Sequence, residues 1–185
     1  VFEDNIDEIE AVHEYCQQNE LVLILNPAFD YNNIEANTNF SNKDKSQLKS
    51  WSKKKGVYLN SAFLLLREDG GNHVDEPVCK AASSTIVISP HNELMLPCYH
   101  LGVENLAIEN NLYELYHSDK VQKLIALEGR YEECEGCVIN CYMQPSFAVE
   151  INKYWWRALP STLKYNVMKG TWKQLFGIGQ SNDIW

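Results

Sequence analysis

Five of the six cysteines fall in the second half of the chain, at Cys79, Cys98, Cys134, Cys137 and Cys141. Eighteen residues separate the first two and thirty-five the next two, and the last three form Cys134-Glu-Gly-Cys137-Val-Ile-Asn-Cys141. Thiolates are soft ligands, and a close pair with two distant partners can enclose zinc or an iron–sulfur cluster. Four thiolates complete either a tetrahedral zinc site or a cubane, so one of the five is spare or ligates under other conditions. Cys16 lies far from the rest on the apolar stripe of a helix. It reads as a core residue, because a free cysteine packs as a small hydrophobe. His13, beside it on that helix, reads the same way.

Composition narrows the class of protein. With 45% hydrophobic and 22% charged residues, the 185-residue chain reads as a soluble globular protein of one domain or two small ones. A net charge of −9 argues against general nucleic-acid binding, which needs a basic surface. No apolar run approaches the ~20 residues that span a bilayer, and no export signal opens the chain. Cysteines at ligand spacing without such a signal favour a reduced, cytoplasmic location over a disulfide framework. The chain starts at Val1, inside a helical pattern, and is expected to be the C-terminal part of a longer protein.

The elements that must position the thiols follow from patterning. Asn5 and Glu8 have the spacing of a capping box, and Ile6, Ile9, Val12, His13 and Cys16 continue at helical intervals. Leu21 to Leu25 is a continuous apolar run of the kind found in strands buried on both faces, so helix and strand together predict half of a parallel β/α unit. Asn26 and Pro27 end that strand, residues 30–43 read as a loop, and helices are expected over Lys43–Lys55 and Asn60–Arg67. Gly70-Gly71-Asn72 marks a domain boundary.

Beyond Val74 the pattern changes. Thr85-Ile-Val-Ile-Ser89 and Glu93-Leu-Met-Leu96 flank Pro90-His91-Asn92 as the strands of a hairpin, which brings Cys79 and Cys98 to one end of it. Asn111–Tyr116 and Asp119–Leu127 read as capped helices. If the closing segment is helical, Cys137 and Cys141 share one of its faces.

Taken together, Cys79-Lys-Ala-Ala, Ile86-Val-Ile-Ser-Pro90-His-Asn, Leu96-Pro-Cys98, Leu112-Tyr-Glu-Leu-Tyr116 and the Cys134/Cys137/Cys141 group resemble the C-terminal auxiliary-cluster domain, of SPASM/twitch type, of radical S-adenosylmethionine enzymes. The resemblance covers about residues 74–145. It implies an α/β fold class: terminal β/α units of a partial TIM-like barrel over 1–72, then a small α+β cysteine-rich domain over 73–150. A basic aromatic extension over 151–185 would follow. It further implies that Cys79 and Cys98 are the hairpin ligands and Cys134 and Cys137 the downstream pair of a single auxiliary [4Fe–4S] cluster, with Cys141 outside the smaller twitch pattern. Where the family's hairpin turns on glycine this chain has Asn92, which tolerates the same left-handed backbone.

In that family a CxxxCxxC loop holds a second [4Fe–4S] cluster that cleaves S-adenosylmethionine, with a ferredoxin or flavodoxin as reductant. This chain carries the reversed spacing, CxxCxxxC, at another place, so these residues alone are not expected to cleave S-adenosylmethionine. Asn26 and Pro27, at the end of a barrel-like strand, are weak candidates for facing that cofactor or the substrate, which the sequence does not name. Zinc at the same thiols, in a structural interaction module, and a non-enzymatic iron–sulfur electron carrier are the alternative readings.

His100, two residues past Cys98, stands either as a donor or ligand to the centre or as a surface histidine. Tyr99 and Tyr142 flank ligands and are expected to shield the centre from water. His91, in the turn, needs no function. Between Glu150 and Asp183 there is no acidic residue, while Lys153, Arg157, Lys164, Lys169 and Lys173 alternate with aromatics. Such a tail suits a peripheral membrane surface or an acidic partner, or packs back onto the protein itself. Pro160 is expected to split it into two helices.

Overall fold

The computed structural model of the chain describes residues 3–28 and 42–175. Of these, residues 3–28, 42–61 and 156–175 form one compact unit and residues 62–155 a second. In the first, a 3₁₀ turn over Glu3–Glu8 runs into α1 (Ile9–Gln18). Ile6, Ile9, His13 and Cys16 are buried at the three- and four-residue intervals that place side chains on one helix face. Asn5 is not the N-cap of α1. Asn5 lies within the 3₁₀ turn, and Glu8 precedes α1 in helical conformation without a side-chain cap.

β1 (Leu23–Ile24) is followed by α2 (Asn42–Trp51) and β2 (Val57–Tyr58), and the two strands pair in parallel with Leu23 opposite Val57. A parallel pair with a helical crossover matches the β/α reading. The apolar run does not bury both faces, however. Leu23 and Leu25 are buried while Ile24 between them remains 48% exposed, because an extended backbone sends successive side chains to opposite sides; Leu21, ahead of the strand, is 52% exposed. Most of the predicted loop over 30–43 lies outside the described residues.

In the second unit, α3 (Ser61–Glu68) buries Phe63 and Leu66 and stops at Gly70 and Gly71, both with positive φ. A four-residue helix, α4 (Ala81–Ser84), follows Cys79. Residues 85–89 then run back toward β3 (Glu93–Leu96), but join it through a single bridge between Ile88 and Leu94. Asn92 takes φ 61° in the turn, the left-handed conformation expected of it. The full ladder is a hairpin that the sequence pattern did not reveal, between β3 and the antiparallel β4 (Glu104–Ala107). The polar-apolar alternation of β4 is too short and too exposed to stand out.

Leu94 and Leu96 pack on Ala82 and Val121 beneath α5 (Leu112–Tyr116) and α6 (Asp119–Ile125). Both helices are capped as expected. Asn111 Oδ1 accepts the Tyr113 and Glu114 amides, and Ser118 Oγ accepts that of Val121. α7 (Asn140–Ser146) begins only after Cys137, so Cys137 and Cys141 do not share a helix face.

α8 (Lys153–Lys169) is one continuous helix, followed by α9 (Trp172–Leu175). Pro160 does not split it. The residue is exposed, so water can replace the missing amide donor, and the ring is accommodated within the helix. In the first unit, Lys164 Nζ donates to the carbonyls of Ser52 and Lys54 at 2.7 and 2.8 Å, just past the C-terminus of α2, and Tyr165 lies on Tyr58. That part of the tail therefore packs with residues 3–28 and 42–61 rather than forming a separate extension. The second unit likewise begins at Ala62 rather than His73, because the apolar residues of α3 belong to its core. No helix among the described residues is long and apolar enough to cross a membrane.

Candidate metal centre

Asn72, fully buried, ties together the segments that carry the thiols. Its Oδ1 accepts the amides of Val78 and Cys79, each at 3.0 Å, and its Nδ2 donates to the carbonyls of Gly129 and Cys134 at 2.9 and 3.1 Å. Its own backbone donates to Cys137 O and accepts from Gly136 N. A buried amide must find partners for both of its ends, and here the acceptor end is met six and seven residues on and the donor end fifty-seven and sixty-two residues on.

The two residues inside Cys134-Glu-Gly-Cys137 complete the join. A Cβ on Gly71, at φ 93°, would lie 2.4 Å from the carbonyl oxygen of Gly136, so the two glycine backbones meet where no side chain fits. Glu135 accepts the Val74 amide at 2.8 Å and meets His73 Nδ1 at 2.9 Å, and these contacts hold its carboxyl below the usual range. Gly129, at φ 72°, leaves room for Cys79, whose Cβ would stand 3.1 Å from an added methyl. Past the cis Leu96–Pro97 peptide, Cys98 Sγ accepts the Leu101 amide at 3.4 Å, and Tyr142 on α7 takes the Tyr99 amide on its hydroxyl.

The thiols consequently sense one another. Burial pushes Cys79 far up from the ordinary thiol value, a backbone hydrogen bond at Ala81 draws it back, and Cys137, Cys134 and Cys98 push it higher. Cys137 is raised to about 11 by burial, opposed by a hydrogen bond at Ile139 and reinforced by Cys134, Cys98 and Cys141. Cys134 rises mainly through burial, with a contribution from Cys98. Cys141, exposed on α7, is raised by burial of its sulfur and is influenced by Cys98. Cys98 contributes to the shift of each of the other four, while Cys141 acts, among the thiols, on Cys137 alone. Among the described residues no three His, Cys, Asp or Glu side chains close on one point as the ligands of a single ion do.

This donor set fits a thiolate-bound group. Thiols left bare in such a place hold their protons, whereas a coordinated metal removes them outright. Backbone hydrogen bonds aimed at sulfur suit the charged form, and the Tyr131 hydroxyl, buried beside Cys134 with no hydrogen-bond partner among the described residues, is a donor to which a thiolate or sulfide would give an acceptor.

The remaining candidates separate clearly. Of the two tyrosines expected to shield the centre, Tyr142 is buried, but Tyr99 is 62% exposed, because its ring points out of the Cys98 turn. His100 packs edge-on against both rings, and burial lowers its pKa. His91 is exposed in the turn. Cys16 and His13 are core residues of the first unit, with His13 Nε2 on the Lys55 carbonyl at 2.9 Å and its ring edge-on to Trp51. Asn26 and Pro27 follow β1 in that same unit, the first exposed and the second buried, while all five candidate ligands lie in the second.

Sequence reasoning missed Asn72, Gly71, Gly129 and Tyr131. The Gly-Gly-Asn signal was visible but read as punctuation between domains, when it is the seat of the Cys134–Cys137 loop. Beside the centre, a charged cleft of about 410 Å³ is lined by Asp75, Glu76, Lys80, Arg130, Lys153 and Tyr154, among others. The chain matches no protein-family model, no curated protein and no solved structure.

Proposed function

We propose that the second unit is an iron–sulfur domain in which Cys79, Cys98, Cys134 and Cys137 hold one [4Fe–4S] cluster, with Cys141 spare. The observation that carries this reading is the Asn72 junction, which holds the Cys79 segment against the Cys134–Cys137 loop, with Cys98 among the groups that push the pKa of Cys79, Cys134 and Cys137 upward. A cubane spreads its thiolates over separate irons, whereas zinc draws four to a single point.

Within that class, the chain is the C-terminal portion of a radical S-adenosylmethionine enzyme, and the cluster is its auxiliary one. The motif resemblance supports this assignment. When bound, such a cluster supplies one-electron transfer, a substrate-binding iron or a structural staple, and four thiolate ligands favour the first or the last. The chain's own residues bind and orient: Asn72 fixes the two ligand loops, the amides near each cysteine stabilise thiolate charge, and Tyr142 excludes water. S-adenosylmethionine, the cluster that cleaves it, and a ferredoxin or flavodoxin reductant belong to the intact enzyme.

The test is anaerobic purification with iron, sulfide and zinc determined beside the visible spectrum. About four irons and four sulfides per chain are expected. Serine at any of Cys79, Cys98, Cys134 and Cys137 should abolish that content, and C141S should retain it. Stoichiometric zinc without iron would replace this reading with a structural zinc module.

A further inference from the structure

We propose that this chain self-associates through the free edge of the cysteine domain's sheet, where Thr85-Ile-Val-Ile-Ser89 of one copy pairs antiparallel with the same segment of a second. On its inner side this segment meets β3: Met95 N donates to Val87 O at 3.0 Å and Ser89 N to Glu93 O at 2.8 Å. Those two bonds flank Ile88 and Leu94, which therefore form the non-hydrogen-bonded kind of antiparallel pair. The N–H and C=O of Ile88 consequently face away from β3, and by the two-residue alternation of extended backbone so do those of Ile86. Among the described residues none hydrogen-bonds the backbone of Ile86 or Ile88, and their side chains are 50% and 49% exposed.

Such an edge is a template for another strand, and proteins ordinarily guard it with charge. β4 does so with Glu104, paired to Lys120. The 85–89 edge is unguarded: residues 81–92 hold no Asp, Glu, Lys or Arg, although 22% of the chain is charged. Two molecules of net charge −9 repel, and this uncharged stretch is where they can approach without setting like charges face to face.

The occupant is a second copy because the segment is self-complementary. About a two-fold axis through Val87, Ile86 of each copy faces Ile88 of the other, with β-branched side chains in both pairs. The outward groups of Ile86 and Ile88 are then those that exchange hydrogen bonds, four in all, and two three-stranded layers become one six-stranded sheet. An interface this small is weak, so association is concentration-dependent.

Sedimentation of the full, anaerobically purified chain over a concentration series tests this, with circular dichroism confirming that each variant folds. Wild type should approach twice the 21.3 kDa chain mass at high concentration. I86K/I88K sets like charges across both pairs and should weaken association at least about tenfold. I86K/I88E sets opposite charges across the same pairs and should restore it. Wild type that stays monomeric throughout overturns the proposal, even if it binds an extended peptide at this edge. So does equal behaviour of the two double variants, since only the antiparallel register distinguishes them.

Discussion

Asn72 carries more of the site than any single thiol does. Its side chain joins four backbone groups, two as acceptor and two as donor, so N72A leaves buried partners unsatisfied on both sides. A loss of about 3 kcal/mol or more is expected in urea unfolding, together with loss of bound iron. N72D keeps the acceptor and removes the donor, and should forfeit most of the same stability, which distinguishes a two-sided junction from simple volume filling. G71A tests the adjoining contact: its methyl would meet the Gly136 carbonyl at a positive φ, and at least about 2 kcal/mol should be lost. Y131F removes the buried hydroxyl that has no partner among the described residues. If that hydroxyl donates to the centre, Y131F should lower the cluster's reduction potential without changing iron content, because a donated hydrogen bond favours the more negative reduced state. An unchanged potential would detach Tyr131 from the centre.

At the scale of elements, the start of α8 is held by charge. Asp69, just past α3, accepts from Lys153 Nζ and from the Tyr154 hydroxyl, both at 2.8 Å. Partial burial works against the carboxylate, but these two donors outweigh it and hold the pKa of Asp69 below its ordinary value. A depressed carboxylate pKa stabilises the folded state above the unfolded value of about 4, and that contribution disappears as pH falls through the folded value. The difference in urea midpoint between wild type and D69N should therefore be full at pH 7 and close toward pH 3. A difference independent of pH would mean that Asp69 acts through packing alone. Further along the same helix, P160A restores an amide donor in an exposed interior turn and should stabilise by about 1 kcal/mol or more, read as a rise in Tm. Had Pro160 been a required break, the same change would destabilise.

For the whole molecule, the proposed cluster makes the two units unequal in their dependence on metal. The second unit's junction runs through ligand loops with little regular structure, a single 3₁₀ turn over Glu132–Cys134 and no long helix. The first is built on α1, α2 and the β1–β2 pair, with none of the five candidate ligands. Stripping iron with a chelator should raise amide hydrogen exchange over 72–80 and 129–141 and leave that of α1 and β2 nearly unchanged. Uniform deprotection across both units would show that the metal supports the chain as a whole.

Local chemistry is legible in the chain without its fold. The Asn111 cap, the left-handed Asn92 and the helical stripe that buries His13 and Cys16 all depend on neighbours within a few residues, where spacing and side-chain type suffice. The rest required tertiary structure. That the Cys79 segment meets the Cys134–Cys137 loop depends on Asn72 reaching residues up to sixty-two positions away, and no local pattern encodes that reach. The β3–β4 ladder replaced the expected hairpin because strand pairing is decided by which partner a surface meets, and one bridge was all that 85–89 could make on its inner side. Pro160 stayed within α8 because solvent on its exposed side can take up what the missing amide cannot. Residue types determine what a site can bind, and packing determines which residues arrive there.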